Sequence, residues 1–501
     1  QELKSAMLEE TPWVLDAKNE SESKRRVALL FDLNRMNQEL GAAQNKLLKM
    51  QYSNGGWPWF TGMPDDEYIT QHIVCGFGHL DKLNAIKIRT DNQWWSALNR
   101  ALTYCDNRMD EEYDRIKSYY KNYKTENHLS QNAIQYLYAR SFYMDVPVSS
   151  RGKEAYSYFM EQSKKYWNVQ SRYMQAMMCL SLFRNNEKIT AGDIIKSLKE
   201  NALQSEEMGM YYKENYAGYY WYESPIEAQS LIIEAFSEAA ADTKLADELR
   251  IWLLKSKQTQ NWKTTKATCE AVYALLLQGT NWLTTEPNVE ITLGSVLVNP
   301  AKEPDMKVEA GTGYFKKVWN GTEIKPEMGK VKVDKKGTGI SWGAVYWQYF
   351  EQLDKITSAE TNLKLNKKLY LQKNTPTGLV LQEIKDKDAL SVGDKLKVRV
   401  ELRVDRDMQY VHMKDMRASG FEPVNVLSGY KWQDGLGYYQ STRDASTNFF
   451  FSYLPKGIYV FEYSLNVSHA GNFSNGITSI QCMYAPEFTS HSEGVRVTVK
   501  K

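Results

Sequence analysis

At 501 residues, with 42% hydrophobic and 25% charged side chains, the chain is too long for one hydrophobic core and reads as about three or four globular units. Its 63 Lys plus Arg against 61 Asp plus Glu leave a formal net charge of +2, which excludes a basic field for nucleic acid. No apolar run approaches the ~18 residues that cross a bilayer, and five scattered cysteines without C-x-x-C spacing argue against a disulfide framework or a zinc site.

The chain opens on Gln1 rather than Met, with no basic-then-apolar leader behind it, and this start reads as a processing point with further chain upstream. From residue 22 to 278 helical periodicity dominates, cut by polar or Gly/Pro breaks into pieces of roughly 12–18 residues. Leu47-Leu48-Lys49-Met50-Gln51 followed by Gly55-Gly56-Trp57 is echoed by Leu253-Leu254-Lys255 followed by Gln258 and Asn261-Trp262, an internal repeat. Segments 68–82, 131–143, 172–184, 225–239 and 265–278 mix small and large apolar residues and are expected to be buried inner helices. Segments 94–104, 153–166 and 243–255 are more charged and are expected outside them. One such hairpin cannot bury its apolar face alone, so neighbours must stack. Gly76, Gly78, Ala133, Ala139, Ala271 and Ala274 on the inner helices favour crowding around a common axis, a closed helical ring.

After Gly279 the period changes to strand alternation, as in Val289-Glu290-Ile291-Thr292-Leu293, Lys330-Val331-Lys332-Val333 and Leu396-Lys397-Val398-Arg399-Val400-Glu401-Leu402. Turns fall at Asn299-Pro300, Asn320-Gly321, Asp434-Gly435 and Pro455-Lys456-Gly457. The stretch 356–366 reads as a seam between a short β-domain and a terminal piece long enough for a β-sandwich.

No P-loop, H-E-x-x-H, G-x-S-x-G or EF-hand loop occurs in the chain, so neither a cofactor nor a catalytic metal is expected. Aromatic residues make up 13% of the chain, with 33 Tyr and 14 Trp, and two clusters of them are candidate contact surface: Trp57, Trp59, Tyr68 with His72, and Tyr219, Tyr220, Tyr222. Asp65-Asp66-Glu67 offers carboxylates for a glycoside-cleaving pair. Acidic residues just before a helix are more often caps facing its positive end. Tyr68 and His72, four apart on one helix face, suit a packed pair.

Leu48 to Trp59, which contains a Q-x-x-x-G-G-(W/F) turn, followed by Tyr68-Ile69-Thr70 resembles the turn and helix start of the thioester-containing helical domain of the alpha-2-macroglobulin family. Arg406-Asp407-Met408-Gln409-Tyr410-Val411, Leu454-Pro455-Lys456-Gly457 and Met483-Tyr484-Ala485-Pro486-Glu487 are similar to the final macroglobulin-like domain of its bacterial branch. The resemblance implies a multidomain chain, α then β: an α/α toroid over 1–284, a small CUB-like β-domain over 285–352 and a C-terminal macroglobulin-like β-sandwich over 353–501. It also implies a non-enzymatic protease trap of the exported cell envelope, periplasmic or outer-membrane-associated, whose partners are target proteases and upstream macroglobulin domains of the same protein. Movement is then expected at 279–289 and 356–366. Family members with covalent chemistry carry Cys-x-x-Gln. Here Cys75, Cys179 and Cys269 are followed by Gly76-Phe77-Gly78, Leu180-Ser181-Leu182 and Glu270-Ala271-Val272, so that pair is expected upstream or not at all. Two other readings rest on the same residues: a carbohydrate-active or glycan-binding helical ring, and a non-reactive scaffold of the cell envelope.

Overall fold

The computed structural model describes residues 33–213, 218, 220–221, 223–277, 288–299, 306, 314–336, 341, 343–385 and 388–501. They fall into two compact units, one whose described residues run from 33 to 271 and from 348 to 501, the other from 272 to 347.

Helices fill the first part of the larger unit: α1 (Leu33–Met50), α2 (Glu67–Lys82), α3 (Asn92–Tyr119), α4 (Gln131–Ser141), α5 (Lys153–Tyr166), α6 (Arg172–Arg184), α7 (Lys188–Glu200), α8 (Pro225–Glu238), α9 (Thr243–Thr259) and α10 (Thr265–Leu276), the last belonging to this unit up to residue 271. The starts are written in the sequence. The side chains of Asp66, Asp91, Ser130, Ser171 and Asp242 each accept a first-turn N–H, and α8 opens on Pro225, which forfeits no helical hydrogen bond there. The expected inner helices pack in series, α2 on α4, α4 on α6 and α6 on α8. Nearly every residue of α4 and α6 is buried, including Ala133, Ala139, Ala176 and Leu180. Small residues permit the approach. A Cβ on Gly78 would stand 2.4 Å from the Phe142 ring.

The turn before α2 is equally tight. Gly55 has φ +95° and a Cβ there would meet the Arg100 carbonyl oxygen at 2.3 Å. Gly55→Ala combines left-handed backbone with a backbone clash, and a loss of about 2 kcal/mol or more is expected in a urea titration. Gly41→Ala, where nothing lies within 4 Å, is the control and should stabilise slightly.

The C-terminal part of this unit is a β-sandwich. One sheet orders its strands Phe421–Pro423, Gly457–Val467, Lys395–Val404, Leu363–Thr375 and Gly378–Glu383; the other orders Gly429–Gln433, Leu436–Thr442, Ser446–Leu454, Met408–Met416, Thr478–Cys482 and Thr489–His491. Leu396, Val398, Val400, Leu402 and Val404 point inward on alternate positions and join Val411, Met413, Phe449, Phe451, Phe461 and Ile480 in one core. The expected seam at 356–366 is tied into this body. Ala359 bridges His491, Thr361 N–H donates to Ser490 Oγ at 2.8 Å, and Gly494 N–H donates to the Ile356 carbonyl at 2.8 Å.

Helices and sandwich meet through named contacts. Arg406, 8% exposed, donates to Glu207 Oε2 at 2.8 Å and Asp405 Oδ2 at 2.9 Å. Gln258 Nε2 donates to Glu487 Oε1 at 2.7 Å, Thr259 Oγ1 to the Asp407 carbonyl at 3.2 Å, and Asn261 N–H to Gln409 Oε1 at 3.0 Å. Glu207 lies in the turn between the short strands Leu203–Ser205 and Gly209–Tyr211, and Arg406 holds its carboxyl below the usual range.

The smaller unit carries a three-stranded antiparallel sheet, Val296–Val298, Asn288–Leu293 and Val331–Lys336 in that order. Leu293, Val298, Met306 and Met328 form its core.

Candidate functional site

The Trp turn is built before the aromatic surface can be. Gln51 Nε2 donates to the Gly55 carbonyl at 3.0 Å and the Ala97 carbonyl at 2.8 Å, fastening the turn to α3. Trp57 N–H donates to Thr70 Oγ1 at 2.9 Å, its Nε1 donates to the Leu47 carbonyl at 2.8 Å, and the residue is 1% exposed. Trp57 is therefore a peg between α1 and α2. The three carboxylates beside it act locally. Asp66 caps α2, Asp65 accepts from Tyr104 Oη at 2.6 Å and Arg108 Nη2 at 2.8 Å, and Glu67 accepts from Gln71 Nε2 at 3.0 Å. Burial, with Glu112 nearby, raises the Glu67 carboxyl to about 7.

The other rings of the first cluster do assemble. Trp59 stacks on Tyr68 at 5.8 Å, Tyr68 on His72 at 6.1 Å with 5° between planes, and Trp221 meets Tyr68 at 4.7 Å and Tyr173 at 6.0 Å. Tyr220 is 54% exposed. Tyr219 and Tyr222 lie outside the described residues. A lysine amine occupies the centre of the assembly: Lys266 Nζ, from α10, lies 5.7 Å from the Tyr68 ring, 5.4 Å from Tyr173 and 5.2 Å from Trp221. It is buried without a hydrogen-bond partner. Burial lowers its pKa, while Glu227 and Glu270 pull the other way. His72 is pushed down to about 4 by burial and by Lys266, so at neutral pH the imidazole is uncharged and the rings surround an amine that the chain itself supplies.

One helical turn further along α10 lies a second group, buried at its centre around His79, Tyr138 and Glu234. His79 of α2 shares a 2.8 Å hydrogen bond with Tyr138 Oη of α4, and Tyr138 Oη donates to Glu234 of α8. Arg184 of α6 reaches Glu234 Oε1 at 2.6 Å and Glu238 at 2.8 Å; Lys82 reaches Glu234 at 3.3 Å. Glu270 of α10 stands 3.8 Å from His79 Nδ1. Five inner helices thus meet in one polar cluster. Burial opposes ionisation of Glu234, but Arg184, Lys82 and His79 outweigh it and hold the carboxyl at about 2. Glu270 goes the other way, raised to about 7 by burial against the pull of Lys266.

Glu270 gives a signed test. The folded chain binds its proton more tightly than the unfolded chain, so its contribution to stability is present below about pH 4.5 and lost as pH rises through 7. Glu270→Gln is expected to stabilise by roughly 2 kcal/mol at pH 8 relative to its effect at pH 5. Urea midpoints at the two pH values read this directly, and an equal effect at both would contradict the assignment.

Among the described residues no group of three His, Cys, Asp or Glu is placed to hold a metal, and no helix is long and apolar enough to cross a membrane. All five cysteines are free thiols; burial raises the pKa of each, Cys179 to about 12. A raised thiol is a poor nucleophile at neutral pH.

Comparison with known proteins bears on the sandwich most directly. Residues 363–487 match the family model described as the bacterial alpha-2-macroglobulin MG10 domain. Among solved structures, trypsin-activated alpha-2-macroglobulin from Escherichia coli is 12% identical, with 91% of this chain and 29% of that chain covered at a TM-score of 0.40. The Y1175G mutant of Salmonella alpha-2-macroglobulin is 13% identical, with coverage of 91% and 27% and a TM-score of 0.33. The chain therefore spans under a third of the length of these relatives. Over 114 residues it is 26% identical to circularly permutated Ras protein 2 of Dictyostelium discoideum, 22% of this chain and 3% of that one. The chain is a helical body followed by β-sheet domains, and residues 363–487 of its C-terminal sandwich are similar to the MG10 domain of the bacterial alpha-2-macroglobulins, the family its motifs resemble.

Proposed function

We propose that this chain is the carboxy-terminal portion of a macroglobulin-like protease trap: a helical ring over 1–284, a CUB-like domain over 285–352 and a terminal macroglobulin-like sandwich over 353–501. The observation that carries this reading is the MG10 match over 363–487, on a sandwich bonded directly to the helical body through Arg406, Thr259 and Asn261. Its work is mechanical and not enzymatic. Cleavage of a bait elsewhere in the parent releases a rearrangement, and the helical body with its attached sandwich moves as one piece to enclose the protease. The thiols described above, raised and buried or flanked by no Cys-x-x-Gln, supply no covalent capture. The setting is the exported cell envelope, periplasmic or outer-membrane-associated, with target proteases and upstream macroglobulin domains of the same protein as partners.

The glycan-processing alternative is not favoured at the Trp59–Tyr68–His72 surface, because Lys266 fills the centre of that cage. The test is to incubate the parent protein with trypsin and assay two substrates. Retained cleavage of a small chromogenic peptide with lost cleavage of casein supports the trap. Full activity on both rejects it and favours a non-reactive scaffold.

A further inference from the structure

A second surface of the helical body has the chemistry of a ligand site. The end of α3, the connection 120–129 and α5 enclose a cleft of about 720 Å³, inside the range of small-ligand sites. Its inner side is aromatic and amide: Tyr113 and Gln162 are buried, Tyr158 is half-buried, and the Tyr113 and Tyr158 rings lie 5.0 Å apart. Its rim is mixed but richer in cations, with Lys124, Lys153 and Lys165 exposed beside the carboxylates of Glu154 and Glu161.

The cleft is held in shape before any ligand arrives. Tyr158 Oη donates to the Tyr123 carbonyl at 2.9 Å and Lys165 Nζ to the Thr125 carbonyl at 3.1 Å, pinning the connection onto α5. Its charges are unevenly matched. Lys164 is met by Glu161 at 3.0 Å and Glu187 at 3.2 Å, and Lys117 by Asp114 and Glu154 at 3.8 Å. Among the described residues no carboxylate stands at ion-pair distance from Lys124, Lys153 or Lys165. Lys124 and Lys153 thus border the hollow without an ion-pair partner, while Lys165 is spent on the Thr125 carbonyl.

We propose that this cleft binds acidic saccharides, with a sugar face against the half-buried Tyr158 and the acid groups at Lys124 and Lys153. Stacking surface is what a bare anion does not need, and spaced amines are what a neutral sugar does not need. The inference stands apart from the trap reading, since neither the sandwich nor the ring axis takes part.

Calorimetry of the full 501-residue chain with tetragalacturonate at low salt tests it. Saturable one-to-one binding is expected, weakened about tenfold by the double change Lys124→Gln/Lys153→Gln and by a similar factor for the methyl-esterified tetramer. Circular dichroism verifies that the double variant is folded, and Tyr158→Leu, read against Tyr158→Phe, which loses the bond to Tyr123 and keeps the ring, separates stacking from charge by weakening the tetramer while leaving the salt dependence in place. Absence of saturation at millimolar tetramer, equal binding of the ester, or equal displacement by inorganic phosphate overturns the proposal; the last outcome makes the cleft a simple anion site.

Discussion

Asp415→Asn will lower the stability of the C-terminal sandwich by about 3–5 kcal/mol, the range for breaking a buried ion pair by removing one partner. Asp415 and Lys367 have side chains 0% and 1% exposed, with Nζ to Oδ1 at 2.6 Å. Thr478 Oγ1 donates to the same oxygen at 2.6 Å, and half-buried Tyr463 donates through Oη to the other. Lys367 also donates to the Met416 carbonyl at 2.7 Å. Replacing the carboxylate leaves an ammonium inside the sandwich with its counter-charge gone and turns one acceptor into a donor facing it. The joint change Lys367→Met/Asp415→Leu should recover much of the loss, since an apolar pair avoids the desolvation of two ions. Urea unfolding of the three proteins, followed by Trp fluorescence, checks both statements. A single-variant loss below about 1 kcal/mol would place the pair among ordinary surface bridges.

Arg184→Met is the second large effect, again about 3–5 kcal/mol at pH 7. Arg184 carries four roles at once: it bonds Glu234 and Glu238, donates to Ser141 Oγ at 2.9 Å, and lies 4.2 Å over the Phe142 ring. Without it Glu234 loses the cation that lowers its carboxyl most, in a fully buried position where Lys82, Tyr138 and His79 remain beside it. The pH dependence follows from the sign of the shift. Glu234 is held at about 2 against a reference of 4.5, so its contribution is present above pH 4.5 and lost as pH falls toward 2. The gap between native and Arg184→Met should therefore be widest near pH 7 and narrow below pH 4.5. A gap that stays constant from pH 7 to pH 3.5 would contradict the charge argument and leave only lost packing.

Local signals carried the architecture. Ser and Asp caps, the Pro225 start and the small residues on α2, α4, α6 and α8 are short-range features, and they predict where helices begin and which faces bury. The alternation at 396–402 likewise fixes one face of a half-buried strand before any partner strand is known. The candidate site was legible only in part. Tyr68 and His72 share a helix face, so their stacking follows from spacing, and Trp59 is delivered by the adjoining turn. Trp57 belongs to the same run yet is consumed by packing, because the repeat that made it conspicuous also gives it Leu47 and Thr70 as partners. Lys266, Tyr173, Glu234 and Glu270 carry no local mark at all. They are brought together by the serial packing of helices far apart in the chain, which no window of sequence reports. For the same reason 356–361 looks like a linker in composition and is sandwich by hydrogen bonding.

Hydrogen exchange at Asn261 is the most direct test of the claim that the helical body and the MG10-like sandwich act as one piece. Its N–H comes from the end of the helical body and is held by Gln409 Oε1 of the sandwich at 3.0 Å. In the native chain this amide should exchange as slowly as the Val400 and Val411 amides in the sandwich strands, and Arg406→Ala should speed it without speeding them. Exchange at Asn261 as fast as in an open loop, with the sandwich strands fully protected, would show two bodies joined by a tether and would contradict the account.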